Sequence, residues 1–130
     1  MPEKRCLSTS TGPRAIGPYS AAVRAGHFVF CSGMIPIDPA TGDVVSGDIR
    51  EQTRRALQNL AAVLSDNGLS LANVVKTTCY LVNMDDFALF NEAYAEFFGH
   101  APPARSTVEV SRLPKGVLVE VEAIAVAPDD

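Results

Sequence analysis

Apolar residues recur along this chain at helical spacing in one long segment, and this spacing predicts a first helix. The segment begins at Asp48, which is followed three residues later by Glu51 and so resembles a capping box. It closes at Asn67-Gly68, where a glycine can take the left-handed conformation that ends a helix. The apolar stripe consists of Ala56, Leu57, Leu60, Ala61 and Leu64.

A second stripe, made of aromatic residues, predicts another helix packed against a core. It consists of Phe87, Phe90, Tyr94 and Phe97. Asp85 and Asp86 stand where this helix begins, and their charges favour its positive end. Pro102-Pro103 prevents the helix from continuing and predicts an extended chain leading into Arg105.

The other apolar runs are short and rich in β-branched and aromatic residues, which is typical of strands. They are residues 19–25, 27–32, 74–82, 106–112 and 117–127. Ala25-Gly26 predicts a hairpin turn, residues 113–116 predict another turn, and prolines make residues 35–47 an irregular loop. The resulting order is strand, strand, helix, strand, helix, strand, strand. It predicts an α/β sandwich with both helices on one face of the sheet, in a single domain over residues 1–130.

The last predicted strand has two unlike faces, because side chains alternate along a strand. One face is apolar throughout and suits packing under helices: Val117, Val119, Val121, Ala123 and Ala125. The other is mixed: Leu118, Glu120, Glu122, Ile124 and Val126. Two helices can cover only one face of such a sheet, so we expect the mixed face to pack against copies of the chain. The alternative is that Glu120 and Glu122 lie at a wet edge and only solubilise it.

The strand over residues 74–82 shows the same conflict between its two faces. Simple alternation assigns Val74 and Tyr80 to one face, and Val75 and Leu81 to the other. Both faces therefore carry large apolar groups, which again favours a homo-oligomer.

Composition narrows the class of protein. The 130 residues are 47% hydrophobic and 20% charged, as in ordinary globular domains, and the net charge of −4 argues against a nucleic-acid surface. Cys6, Cys31 and Cys79 are odd in number and match no disulfide framework or zinc spacing. A reducing cytoplasm fits them best, with Cys31 and Cys79 as small apolar groups inside strands. No run is apolar enough to span a membrane, and the N-terminal residues lack the hydrophobic region of a signal peptide.

Arg105 and Glu120 are the candidates for chemistry. An arginine fixed on a stiff segment can grip a carboxylate through two hydrogen bonds, and a half-buried glutamate can act as a general acid or base. The alternative for Arg105 is a structural ion pair with Glu109, Glu120 or Glu122. His27 and His100 have no ligand partner at usual spacing, so no metal site is predicted. Phosphate loops, nucleotide-binding glycine motifs and nucleophile elbows are absent from the sequence.

Several segments, in their order and spacing, resemble the reactive intermediate deaminase (YjgF-like) family over nearly the whole chain. The first are Ala15-Ile16-Gly17-Pro18-Tyr19-Ser20, Ser32-Gly33-Met34-Ile35-Pro36 and Asp38-Pro39. Next come Gln52-Thr53, Asn59, Val75-Lys76-Thr77-Thr78, Asp86-Phe87 and Asn91. The most specific are Pro103-Ala104-Arg105-Ser106, Leu113-Pro114-Lys115 and the block from Val119 to Ala125.

This resemblance implies a fold, an assembly and an activity. The fold would be chorismate-mutase-like, and the assembly a homotrimer with active sites in the clefts between subunits. The activity would be hydrolysis of 2-imino and 2-enamino acids, such as 2-iminopropanoate and 2-iminobutanoate, to 2-keto acids and ammonia without a cofactor.

The resemblance also implies a role for each site residue. Arg105 would clamp the substrate carboxylate, Glu120 would position or activate water, and Tyr19 would reach towards the ligand. The pocket would be lined by Ser32, Gly33, Phe87, Asn91 and Thr107.

Two positions depart from the family pattern. Thr107 stands where many members with imine activity carry cysteine, and Met34 stands where glutamine is common after the Ser-Gly pair. These departures leave open a pathway-specific deaminase of a related enamine such as 2-aminomuconate. A trimer that binds small ligands or acts as a chaperone without turnover is a further alternative. The acidic charge weighs against the ribonuclease activity ascribed to some relatives.

Overall fold

A single sheet carries all six strands, and both helices lie against one of its faces. The computed structural model describes residues 3–128. The strands are β1 Lys4–Leu7, β2 Ala22–Ala25, β3 Phe28–Met34, β4 Val74–Leu81, β5 Ala104–Glu109 and β6 Val119–Val126. The helices are α1 Ile49–Asp66 and α2 Phe87–Phe98. The order across the sheet is β1-β2-β3-β6-β4-β5, and only β4 and β5 pair in parallel among these strands. The predicted α/β architecture with helices on one face is confirmed.

Helix α1 begins and ends as predicted. The Asp48 side chain accepts hydrogen bonds from the backbone N–H groups of Arg50 (2.9 Å) and Glu51 (3.3 Å). The helix is followed by Gly68, whose φ of +77° is left-handed. Only the Asp48 half of the predicted capping box is present among the described residues, because the Glu51 carboxylate pairs with Arg54 (3.3 Å).

Helix α2 follows a short 3₁₀ turn, Met84–Asp86, and packs its aromatic stripe on the core. Phe90 and Tyr94 are buried, as predicted, whereas Phe87 and Phe97 are partly buried at the margin of the stripe. Phe98, which lies outside the predicted stripe, is buried instead, because its ring packs on Tyr94 with the centroids 4.8 Å apart.

The core lies between the helices and the sheet face nearest to them. Val119, Val121, Ala123 and Ala125 of β6 are all buried there, as the alternation in the sequence predicted. Cys31 and Cys79 lie in the same core, which confirms their predicted role as small apolar groups. Burial raises the pKa of both thiols to about 11.

Two details of the sheet differ from the predictions. A bulge between Val74 and Lys76 breaks the alternation in β4, so Val74 shares the buried face with Leu81 and not, as predicted, the face of Tyr80. In addition, β1 adds an edge strand that pairs with β2 and that hydrophobic patterning does not indicate. Within residues 3–128 no helix is both long and apolar enough to cross a membrane.

Candidate active site

The predicted site residues fall into two groups on opposite faces of the sheet. The first group, which we call the glutamate cleft, comprises Tyr19, Ser32, Gly33 and Glu120, all lining one cleft of about 790 Å³. The second, which we call the arginine platform, comprises Phe87, Asn91, Arg105 and Thr107, on α2 and β5. A single chain therefore brings four of the eight together on each face and does not join the two groups.

Glu120 reaches the cleft because of its place in β6. Its neighbours Val119 and Val121 are buried under the helices, so alternation directs Glu120 to the face that the helices leave open. Partial burial, together with the negative charge of Glu122, raises the pKa of the Glu120 carboxyl above its ordinary value. A carboxylate with a raised pKa is a better base near neutral pH than an exposed one.

Gly33 makes room for the Glu120 carboxylate. A Cβ at position 33 would lie 2.0 Å from Oε2 of Glu120, a separation that no side chain tolerates. The pairing of β3 with β6 also shifts register between Cys31 and Met34, so a bulge surrounds this glycine. The glycine and the bulge together allow the carboxylate to lie directly against the β3 backbone.

Ser32 and Tyr19 form another part of the cleft. The Ser32 hydroxyl donates to the Ser20 carbonyl oxygen (2.6 Å), and the Ser32 N–H donates to the Ala21 carbonyl (3.0 Å). These bonds tie the segment after Tyr19 to the start of the cleft floor. The Tyr19 side chain is 53% exposed, so its ring stands at the mouth, where a ligand or a second protein chain can reach it.

On the arginine platform, the Arg105 guanidinium lies against three aromatic rings of α2. Its central carbon is 5.5 Å from the centroid of Phe87, 5.6 Å from Phe90 and 4.8 Å from Tyr94. These are cation–π distances, and they hold the group half-buried. Asn91 fixes its orientation, because the Asn91 Oδ1 accepts a hydrogen bond of 2.8 Å from Arg105 Nη1.

The platform is itself held rigidly from below. Tyr94 is buried, and its hydroxyl shares a hydrogen bond of 2.8 Å with Thr77 of β4. Thr77 is the residue paired with Arg105 across the two parallel strands. Helix and sheet thus support the arginine from both sides, an arrangement suited to a fixed anion-binding group.

Arg105 forms no ion pair with a carboxylate of the described residues, so the alternative of a structural ion pair within one chain is wrong. Each proposed partner is engaged or placed elsewhere. Glu109 accepts from the Met84 N–H (2.8 Å), and Glu122 accepts from the Tyr80 hydroxyl. Glu120 lies on the opposite face of the sheet. The guanidinium therefore keeps N–H donors for an external anion.

Thr107 lies two residues beyond Arg105 on the same face of β5, paired with Cys79 of β4. Its hydroxyl oxygen is buried and has no hydrogen-bond partner among residues 3–128. An orphaned hydroxyl beside the guanidinium is a group that a bound ligand or water can satisfy.

Tyr80 and Glu122 are site residues that sequence reasoning did not assign. Tyr80 is paired with Glu120 across β4 and β6, and its hydroxyl donates to Oε1 of Glu122. This bond, more than burial, raises the pKa of Tyr80 to about 12. A tyrosine in register with a mixed-face glutamate was the available signal, but it depends on strand pairing that only the structure supplies.

The described residues contain no group of three or more histidine, cysteine or acidic side chains that could hold a metal ion. What the two groups offer is a cation without a carboxylate partner and a carboxyl group of raised proton affinity. Such a pair can bind an anionic substrate and move a proton, provided that the two come together.

The chain is similar to known proteins over nearly its whole length. The family described as Endoribonuclease L-PSP matches residues 9–127. A RutC family protein of Pyrococcus horikoshii is 57% identical over 122 residues, which are 94% of this chain and 97% of that protein. The human 2-iminobutanoate/2-iminopropanoate deaminase is 42% identical over 123 residues, covering 95% of this chain and 90% of the human protein. The crystal structure of the Escherichia coli YjgF gene product superposes with a TM-score of 0.89 at 43% identity, covering 95% of this chain and 99% of that one.

Proposed function

Since the chain belongs to the YjgF/RidA family, also described as Endoribonuclease L-PSP, we propose that it hydrolyses 2-imino and 2-enamino acids to 2-keto acids and ammonia. The family includes proteins named as deaminases of such intermediates. The observation that carries the proposal is Arg105, held on three rings by Asn91 without a carboxylate partner among the described residues.

In the proposed reaction Arg105 binds the carboxylate common to all 2-imino acids. A guanidinium can make two parallel hydrogen bonds to a carboxylate, and its partial burial strengthens them. Binding there fixes the distance from the carboxylate to the imine carbon. This positioning supplies a large share of the rate gain, because attacking water and imine are held in register.

Glu120 accepts and returns protons in the proposed reaction. Water attacks the carbon of the protonated imine, forms a C–O bond and passes one proton to the Glu120 carboxylate. Glu120 then returns that proton to the nitrogen and takes the hydroxyl proton as the C–N bond breaks and the carbonyl forms. The departing ammonia carries this last proton away as ammonium, which leaves Glu120 ionised for the next turnover. A protonated imine is already electrophilic, so this scheme needs neither a metal nor a covalent nucleophile.

We also propose that the active site forms between two copies of the chain in a homotrimer. Glu120 and Arg105 of one chain are on opposite faces of its sheet, so a site containing both needs a neighbour. The open face supports such packing, since it exposes 50% of Phe28, 46% of Phe30 and 42% of Val108 beside its carboxylates. The number three rests on the family resemblance, and a monomeric mass by light scattering would overturn the assembly.

A cytoplasmic location belongs to the same proposal. Cys6, Cys31 and Cys79 are all free thiols in the structure, a state that a reducing compartment preserves.

Release of 2-keto acid tests the proposal when an amino acid oxidase supplies the imine. We expect wild type to accelerate release, and Arg105→Ala to lose at least a hundredfold in rate, because the substrate carboxylate loses its clamp. Arg54→Ala is the matched control, since Arg54 pairs with Glu96 on the surface at 2.9 Å.

Glu120→Gln separates catalysis from binding. It should slow turnover by a hundredfold or more, within the usual range for a lost acid or base of about 10²–10⁴. Binding of 2-ketobutyrate, measured by calorimetry, should persist, because Arg105 is untouched. If wild type gives no acceleration over free hydrolysis, the enzymatic proposal fails, and a ligand-binding role gains support.

A further inference from the structure

Tyr80 and Glu122 form a polar pair beside Glu120 on the open face of the sheet. Tyr80 faces Glu120 directly across the β4–β6 pairing, and its hydroxyl reaches along β6 to donate to Oε1 of Glu122. Glu120 and Glu122, two residues apart on one strand, are separated by about 7 Å along the backbone. Both glutamates line the same cleft.

The other charged or titratable groups around Glu120 are few. Lys76 shares the open face of β4, and the loops that line the cleft contribute Arg14, Tyr19 and Lys115. The Lys76 ammonium donates to the Ser106 hydroxyl (3.1 Å), and the Lys115 ammonium donates to the Gly42 carbonyl (3.3 Å). These bonds give two of the three cations a partner other than Glu120.

We propose that Tyr80 and Glu122 are positioning residues of the site: the Tyr80 hydroxyl fixes the Glu122 carboxylate beside Glu120, and the negative charge of Glu122 adds to the effect of burial in making Glu120 a stronger base towards water. Glu122 acts through Glu120 and needs no contact with substrate. The role of this pair in catalysis rests on the proposed hydrolysis, whereas the effect of the Glu122 charge on Glu120 does not.

The pair has a definite use in the proposed reaction. A neighbouring anion increases the proton affinity of Glu120 and makes it a stronger base towards water. The hydrogen bond from Tyr80 fixes the position of the Glu122 carboxylate, so Glu122 serves as the neighbouring charge and Glu120 as the group that takes the proton. The two carboxyl groups thereby take different roles although they share one strand face.

The acid limb of the pH profile of kcat/KM tests the inference. Glu122→Gln removes the neighbouring charge, so we expect the limb to move to lower pH by about half a unit or more. Tyr80→Phe keeps the ring but removes the donor, so the Glu122 carboxylate is no longer fixed beside Glu120 and its charge acts on Glu120 less strongly. The limb should then move in the same direction by a smaller amount.

Glu96→Gln is the matched control, because Glu96 pairs with Arg54 on the surface away from the cleft, and its limb should coincide with wild type. The inference is overturned if the limb of Glu122→Gln stays in place or rises. It is equally overturned if Tyr80→Phe lowers the rate evenly at all pH values, as a purely structural role would.

A measurement without substrate separates this inference from the proposed function. The Glu120 carboxyl can be titrated by carbon NMR in the free protein, and we expect a lower midpoint in both variants. If wild type has no hydrolase activity, this titration still shows whether the charge of Glu122 raises the proton affinity of Glu120.

Discussion

The two faces of the sheet hold charged side chains of opposite sign, and they hold them in different ways. On the helix-covered face a cation, Arg105, is kept away from every described carboxylate and supported by aromatic rings. On the open face two carboxylates, Glu120 and Glu122, share a strand, and one is held by a tyrosine. Among the site residues, the helix-covered face therefore supplies the cation and the open face supplies the carboxylates. Complementary groups of one chain therefore need not meet within that chain.

The largest effect is expected when the Glu120 carboxylate is displaced without being removed. Gly33→Ala should lower turnover by about a hundredfold, because its Cβ would lie 2.0 Å from Oε2 of Glu120 and must push the carboxylate aside. Steady-state kinetics measures the loss, and calorimetric binding of 2-ketobutyrate reports whether the platform still works. Retention of full turnover would mean that the close approach of Glu120 to β3 is irrelevant to catalysis.

Mixed oligomers test whether the two faces act together, because each of two variants contributes one face whose charged residue is intact. Arg105→Ala and Glu120→Gln should each be nearly inactive alone. Co-expressed in equal amounts, they should regain about a quarter of wild-type activity, since a site built from two chains receives both intact residues in about one case in four. The co-purified mixture is assayed beside a blend of separately purified variants in which exchange is blocked. If co-expression restores nothing, Arg105 of one chain and Glu120 of another do not form a common site.

The smallest expected effect concerns Asp66, which ties the chain before the glutamate cleft to α1. Its carboxylate accepts from the Thr9 hydroxyl (2.6 Å) and from the N–H groups of Ser10 and Thr11 (both 2.9 Å). These bonds lower the Asp66 pKa to about 2. The stabilisation is therefore present above the ordinary aspartate pKa of about 4 and is lost as pH falls towards 2.

Asp66→Asn should accordingly lower Tm by a few degrees at pH 7, with the difference from wild type shrinking as the pH approaches 2. Thermal unfolding followed by circular dichroism at several pH values measures it. Asp38→Asn provides a comparison, since Asp38 caps a turn in the loop after β3 through the Ala40 N–H. A difference that grows in acid would contradict the assigned role of Asp66.

Much of the fold was predictable because its signals are local. The Asp48 cap, the apolar stripe of α1 and the alternating pattern of β6 depend on neighbours a few residues apart. The bulge after Val74 and the edge strand β1 were not predictable in this way. The first depends on how β4 meets β6, and the second on pairing between Lys4–Leu7 and β2.

The features of the site likewise differ in whether the sequence alone could predict them. Mixed-face alternation identified Glu120, and the rigid segment after Pro103 identified Arg105, before any pairing was known. Their separation onto opposite faces required the layer order of helix and sheet. The hydrogen bond from Tyr80 to Glu122 required the register of two strands distant in sequence. Local patterns thus indicate which residues matter, and long-range pairing decides which of them meet.

The bare backbone at Gly33 has a consequence for how this sequence can vary. Because the volume above position 33 is filled by the Glu120 carboxylate, a side chain at position 33 must displace that carboxylate or be accompanied by a shorter residue at position 120. In a library of random variants selected for folding, larger residues at position 33 should therefore occur most often together with shorter residues at position 120.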